Sequence, residues 1–166
     1  MPVTATDLRA HMRYSAWASK RLVDDLAVLN EAELAHDFQT GNKTVIATLA
    51  HVYAADRIWL ARVQGHSPEK FIDPDVDCRM ETLREDWPAL LDHWDAVLGA
   101  QSDESVEHKI SFHNTKGEAF ETPLWQIVMH VVNHGTHHRG QVSGFLRVMG
   151  HVPPVLDLSA YYREQS

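Results

Sequence analysis

The chain of 166 residues has a single cysteine, Cys78, and this scarcity excludes an internal disulfide. Proteins without disulfides are typical of reducing compartments, so we expect a cytoplasmic protein. No apolar stretch approaches the roughly 20 residues that cross a bilayer, and no basic start followed by an apolar run indicates a secretory signal. Basic residues are also in deficit, because the formal net charge is −8 and binding to nucleic acid needs a basic face. We therefore expect neither a membrane nor a nucleic acid as a partner.

The rest of the composition predicts one globular domain over residues 1–166. Hydrophobic residues make up 44% of the chain and charged residues 23%, which are ordinary values for a protein with a substantial core. Histidine is the exception, with 12 residues. Because the histidines are spread along the chain and concentrate within one segment, they favour a site over a terminal tag.

Four long segments have the apolar periodicity of helices. Thr4 or Thr6 is the expected N-cap of the first helix. Pro88 lies inside the third segment, where it should kink the helix or mark a late start. We expect the four helices to cover residues 6–29, 43–63 or 44–63, 79–99 and 123–149.

A short β-hairpin with Gly117 in its turn is predicted between the third and fourth helices, from strands at residues 108–113 and 118–121. In the fourth helix, Thr122 is the expected N-cap, Pro123 the first helical residue and Gly150 the terminator. The predicted fold class is all-α, an antiparallel four-helix bundle with a short β-hairpin before the last long helix. Residues 156–162 are expected to pack across this bundle.

The densest feature is a row of histidines in the fourth helix. Residues four apart share a helix face, so His130, His134 and His138 form a row. The last two have the spacing at which one helix offers two nitrogens to one metal ion. A helical wheel places His138 near the middle of the apolar stripe, His134 toward its edge, His130 further out and His137 in solvent. Hydrogen-bonded core histidines are the alternative, but rings this close repel one another when protonated, so we favour a metal site.

Two ligands hold a metal poorly, so a third must come from elsewhere in the chain. His51 is the leading candidate because it lies in the most apolar helix. Its small neighbours leave space around the ring: Ala47, Ala50, Ala54 and Ala55. The helical wheel does not settle this assignment, because that helix has no polar face for comparison.

The arrangement resembles the DinB family, also grouped as DinB/YfiT-like metalloenzymes of the damage-inducible type. The long histidine run of residues 130–141 is specific, and the resemblance covers nearly the whole chain. Supporting matches are Trp17, Leu49-Ala50-His51 with Asp56 and Trp59, and the closing residues 157–162. The resemblance implies a divalent metal held by one histidine of the second helix and two of the fourth, here His51, His134 and His138.

Three imidazoles leave coordination positions for water or substrate, which is typical of a catalytic site. Zinc is the first choice of metal, and nickel or iron would also suit nitrogen ligands. We expect a metal-dependent enzyme of the hydrolase or thiol S-transferase type that acts on a small molecule. The family resemblance adds a low-molecular-weight thiol as cosubstrate and a homodimer. The alternative is a non-catalytic metal-binding protein, a stress-response protein or sensor, whose site would be closed by His130 as fourth ligand.

Residues around the proposed site have less certain roles. No catalytic residue is identified, and the weak candidate is His130, as proton shuttle or as a donor to the ligands. Asp56 is expected to orient a ligand or to pair with Arg57, Arg62 or Arg139. Arg139 is expected to anchor an anionic substrate or, with more weight, to form a surface salt bridge. Gln141 could hydrogen-bond at the site, and Trp59 could line a pocket or belong to the core.

Overall fold

The computed structural model describes residues 3–165 and confirms a helical protein with one two-stranded hairpin before the last long helix. Short 3-10 helices occupy Leu26–Val28 and Ser105–Glu107. The strands are β1, Lys109–His113, and β2, Ala119–Pro123. The helices are α1, Ala5–Asp25; α2, Glu31–Leu34; α3, Val45–Val63; α4, Pro74–Asp77; α5, Met80–Arg84; α6, Asp86–Gly99; α7, Leu124–Val148; and α8, Leu158–Glu164.

The four long helices pack as a bundle in which α1 and α3 each contact both α6 and α7. Arg9, near the start of α1, contacts Asp95, near the end of α6, so these two helices run antiparallel. Helices α3 and α7 are also antiparallel. The core is formed by large side chains from all four helices, among them Leu8, Leu22, Leu49, Trp87, Trp94 and Leu146. No helix among residues 3–165 is both long and apolar enough to cross a membrane.

The first two long helices begin at threonine caps. The Thr4 side chain accepts a hydrogen bond from the Asp7 backbone N–H, and the Asp7 carboxylate accepts one from the Thr4 backbone N–H, which forms a capping box. Thr44 caps α3 by accepting from the Ala47 N–H at 3.1 Å. Helix α1 ends at Asp25, earlier than predicted, and continues as the 3-10 turn. Most of α3 is buried, as expected for the central helix.

The third predicted helix is broken in two at Glu85, between α5 and α6. Pro88 has no N–H to donate to the Arg84 carbonyl, and its ring crowds that carbonyl, so a continuous helix is disfavoured there. The late start that Pro88 predicted is therefore confirmed, and the lost turn separates a short helix from a long one.

The predicted cap of the last long helix is wrong. Thr122 and Pro123 belong to β2, where they pair with Ile110 and Lys109, and α7 begins at Leu124 without a side-chain cap. Proline fits the end of an edge strand as well as the first turn of a helix, and in this structure Pro123 is the last residue of β2.

The end of α7 is as predicted. Gly150 has φ of +88°, its N–H donates to the Arg147 carbonyl, and the His151 N–H donates to the Leu146 carbonyl. This is a Schellman motif, which favours glycine at the left-handed position. The chain then returns to place α8 on α1, where Tyr161 packs against Trp17 at 5.6 Å between ring centroids.

Candidate metal centre

The antiparallel pairing of α3 and α7 brings three histidines together. His51 projects from α3 toward α7, and its ring centroid lies 4.9 Å from that of His134 and 4.7 Å from that of His138. One nitrogen from each ring can be chosen so that all three lie within 4.8 Å of one another. The two helices thus supply three convergent imidazoles, and this cluster could hold a metal ion.

The shortest contact in the cluster joins His51 Nε2 and His134 Nε2 at 3.0 Å. Two nitrogens bound to one tetrahedral zinc ion at the usual bond length of about 2.0–2.1 Å lie about 3.3 Å apart. The observed distance is close to that value, so a small movement of either ring would admit an ion.

His138 is oriented by a neighbour on its own helix. Its Nδ1 lies 2.8 Å from Gln141 Oε1, which accepts the Nδ1 proton and leaves Nε2 as the nitrogen with a free lone pair. The Gln141 amide also contacts His137 Nε2 at 3.3 Å, and His137 is exposed as predicted. A hydrogen bond to the second ring nitrogen is the arrangement that commonly fixes a histidine ligand to a metal.

The electrostatics of the cluster favour neutral rings. Burial, followed by the neighbouring His138, His51, His130 and His137, lowers the pKa of His134 to about 3. Burial and His138 lower the pKa of His51, and burial also lowers the pKa of His138. At neutral pH these rings therefore carry free lone pairs, which is the form that binds metal.

One polar atom at the cluster has no partner. His134 Nδ1 is buried and makes no hydrogen bond with any described residue. In a neutral ring with Nδ1 protonated, Nε2 presents its lone pair toward His51, as ligation requires. The donor set fits zinc, nickel or iron, because imidazole nitrogen suits all three metals.

His130 lies beside the cluster and outside its set of convergent nitrogens. Its ring centroid is 5.9 Å from that of His134, and its ring meets Trp59 edge to face at 5.4 Å. Partial burial of the ring against its neighbours lowers the pKa of His130, so this residue is neutral at pH 7. Trp59 is half-buried and also contacts Phe112 of β1 at 5.1 Å.

Phe71 is a site residue that sequence reasoning missed. It lies in the loop between α3 and α4, and its ring centroid is 5.1 Å from that of His51. The only available signal was a half-buried aromatic residue within a polar loop between Pro68 and Pro74, which periodicity cannot interpret.

Asp56 lies in the core, and the structure contradicts each of its three predicted ion pairs. Its Oδ2 accepts a hydrogen bond from Trp87 Nε1 at 2.8 Å, and its Oδ1 is buried without a partner among the described residues. Arg57 pairs instead with Asp77 at 2.5 Å. Neither Asp56 oxygen has a hydrogen bond to a histidine among residues 3–165. Burial raises the pKa of Asp56 to about 7, although the hydrogen bond from Trp87 and the charge of Arg139 lower it.

The surface salt bridge predicted for Arg139 is also wrong. The side chain is 1% exposed and donates hydrogen bonds to Ser15 Oγ at 3.0 Å, Ser19 Oγ at 3.1 Å and Thr136 Oγ1 at 3.2 Å. Gly135 makes room for the guanidinium, because a Cβ there would lie 2.6 Å from Arg139 Nη1. Arg139 therefore joins α7 to α1 and faces away from the histidines.

Comparisons with known proteins agree with this architecture. A model of the DinB family matches residues 1–165. Protein DinB of Bacillus subtilis (strain 168) is 23% identical over 155 residues, covering 89% of each chain. A crystal structure of a DinB-like protein from Bacillus cereus ATCC 10987 superposes with a TM-score of 0.73 at 20% identity, covering 93% of this chain and 99% of that one. At this level of identity, the structural likeness concerns the fold.

Proposed function

The chain belongs to the DinB family, and from its three-histidine cluster we propose that it is a metal-dependent enzyme acting on a small molecule. The observation that carries the proposal is the convergence of three ring nitrogens from two helices within 4.8 Å. The lowered pKa values keep the rings neutral. Neutral imidazoles that converge this closely are well suited to bind one metal ion.

In this proposal His51, His134 and His138 hold one divalent ion, with zinc as the first choice and nickel or iron as the others. When bound, such an ion lowers the pKa of a water molecule or a thiol that it coordinates, which serves hydrolysis or thiol transfer. Gln141 keeps the His138 ring oriented, because its Oε1 accepts a hydrogen bond from the Nδ1–H of His138. The reaction is therefore a hydrolysis or an S-transfer, with a low-molecular-weight thiol as cosubstrate in the second case.

His130 is the residue we assign to proton transfer. Its pKa is lowered, so the ring is neutral at pH 7 and can accept a proton from a group that reacts beside His134. It lies outside the convergent set, which supports an open coordination position over a closed four-histidine site. Trp59 and Phe71 flank the cluster and would limit the access of water to a bound substrate.

The proposal also covers the substrate, the cellular location and the oligomeric state of the protein. A small-molecule substrate is expected because Phe71 packs beside His51 and Trp59 beside His130, next to the cluster. We also propose a cytoplasmic protein, from its single free cysteine, and a homodimer, from the family resemblance.

Metal content measured by mass spectrometry on untagged protein tests the site. The wild-type chain should carry about one divalent ion, and His138→Ala should carry none, because two imidazoles bind a metal weakly. The neighbouring, exposed His137→Ala is the matched control and should keep the ion. A wild-type chain that binds no metal after reconstitution with zinc, nickel or iron would make these histidines core residues. Holo protein that binds metal but turns over no thiol-reactive or hydrolysable compound would instead support the non-catalytic sensor.

A further inference from the structure

Arg62, in the last turn of α3, is a buried arginine without a carboxylate partner among residues 3–165. Its side chain belongs to a residue only 7% exposed, and its Nε is buried with no hydrogen-bond acceptor among residues 3–165. Several other arginines have partners: Arg57 pairs with Asp77, Arg9 and Arg13 both pair with Asp95, and the buried Arg139 donates to hydroxyl groups of α1 and α7. Burial lowers the pKa of Arg62, and no described carboxylate offsets that effect.

The environment of the Arg62 guanidinium is aromatic. Its Cζ lies 4.6 Å from the ring centroid of Trp59 and 4.9 Å from that of Phe112. A cation–π contact contributes about 0.5–2 kcal/mol, whereas taking an unpaired charge out of water costs several kcal/mol. The aromatic rings therefore do not by themselves account for a charge at this position, and an uncompensated charge of this kind is a mark of a functional site.

Arg62 and the histidine cluster share one face of α3. Eleven residues make about three turns of a helix, so Arg62 lies beyond His51 on the same side, about 16 Å further along the axis. Ring contacts connect the two places, from Trp59 to His130 and from His130 to His134. A substrate that spans this distance would have to be elongated.

We propose that Arg62 binds an anionic group of the substrate, a carboxylate, sulfonate or phosphate, while the reacting end of the same molecule lies at the three histidines. The placement of the reacting end rests on the proposed function, and the anion site itself needs no metal. The Nε–H and one Nη–H of a guanidinium form an edge that binds two oxygens in parallel, and here the Nε–H lacks an acceptor. Trp59 and Phe112 would strengthen such a bond by excluding water.

Nuclear magnetic resonance of the arginine Nε–H groups tests the site on metal-free protein. The probes are inorganic phosphate, sulfate and acetate, titrated separately at constant ionic strength, and the Arg62 signal is identified by its loss in Arg62→Lys. We expect a saturable downfield shift of this signal with at least one of the anions, and the preferred anion identifies the substrate group. The Arg9 signal should not move, because Asp95 already accepts the hydrogen bond of its Nε–H. An Arg62 signal that no anion shifts would overturn the proposal.

A second measurement compares Arg62→Met with the exposed Arg163→Met, which removes the same charge from α8. The preferred anion should raise the melting temperature of the wild type and of Arg163→Met. It should bind Arg62→Met about tenfold more weakly, the usual effect of losing a charge-assisted hydrogen bond. Equal stabilisation of all three proteins by the anion would contradict the assignment. Since both measurements use metal-free protein, they fail or succeed independently of the metal content.

Discussion

Asp56 shows what a single buried carboxyl does to this bundle. It is 1% exposed, and its pKa of about 7 lies far above the ordinary value of 3.8 because burial disfavours the charged form. The folded protein therefore binds a proton here more tightly than the unfolded chain does. The stabilising contribution of Asp56 is present at low pH and is lost as the pH rises from about 4 toward 7.

Asp56→Asn should remove this pH dependence while keeping the hydrogen bond from Trp87. Each pKa unit corresponds to about 1.4 kcal/mol, so the variant should gain up to about 4 kcal/mol of unfolding free energy relative to wild type between pH 4 and pH 7. Urea unfolding followed by tryptophan fluorescence at several pH values measures this difference. Asp92→Asn, at an exposed position of α6, is the control for replacing a carboxyl group at the surface. A constant difference for Asp56→Asn as well would mean that this carboxyl is ionised without penalty.

Sequence reasoning at this scale succeeded where spacing carries the information. The four-residue repeat placed His134 and His138 on one face, and the apolar surroundings of His51 pointed to the facing helix. The partners of Asp56 and Arg139 could not be predicted in the same way. A helical wheel says which way a side chain points, but the partner depends on which helices pack together, and Ser15 and Ser19 lie more than 100 residues from Arg139 in the chain.

Helices α1 and α7 are joined at a point where a glycine is required. Gly135 lies opposite Ser15, whose Oγ would be 3.4 Å from an added Cβ, and Arg139 occupies the space beside it. The guanidinium cannot move without losing hydrogen bonds that it donates in the interior. The contact between the two helices thus depends on a missing side chain.

Gly135→Ala should destabilise the protein, although alanine is the better helix former. The gain in helix propensity is about 1 kcal/mol, and a hydrogen bond from a charged group contributes about 1.5–3 kcal/mol, so a net loss of about 0.5–2 kcal/mol is expected. Gly144→Ala is the matched control on α7, because nothing lies within 4 Å of its added Cβ, and it should be stabilising. Thermal unfolding of both variants measures the contrast. An equal gain in both would show that Arg139 moves at no cost.

A helix end could be predicted from the sequence where the residues that cause it are close neighbours in the chain. Thr4 and Gly150 act through backbone groups a few residues away, so Thr4, as one of two cap candidates, and Gly150 were identified from the sequence. Pro123 was misassigned because its conformation suits a strand end as well as a helix start, and only pairing with Lys109 decides between them. The break at Glu85 follows from Pro88, but its exact position depends on how α5 packs.

At the scale of the whole molecule, the bundle places groups of opposite pH response around α3. Asp56 loses its stabilising contribution as the pH rises, whereas the histidine cluster loses its stabilising contribution as the pH falls. The pKa values of His51, His130, His134 and His138 are all lowered, so their neutral forms are the ones that the fold accepts. Their contribution is fully present above the ordinary histidine pKa of about 6.5 and is lost as the pH falls toward about 3, the pKa of His134.

A bound metal should therefore stabilise the protein only where these rings are neutral. Ligand present at 100 times its dissociation constant adds about 2.7 kcal/mol, so zinc should raise the melting temperature by several degrees at pH 7.5. Because the pKa values of these rings are lowered, the increase should persist below pH 6.5, and it should shrink as the pH falls toward about 3, where protons compete with zinc for His134. Melting curves with zinc or with a chelator across this range measure the effect. His137→Ala should behave as wild type and His134→Ala should show no increase at any pH. A zinc effect that does not decline between pH 7.5 and about pH 3, or that survives in His134→Ala, would place the ion elsewhere in the molecule.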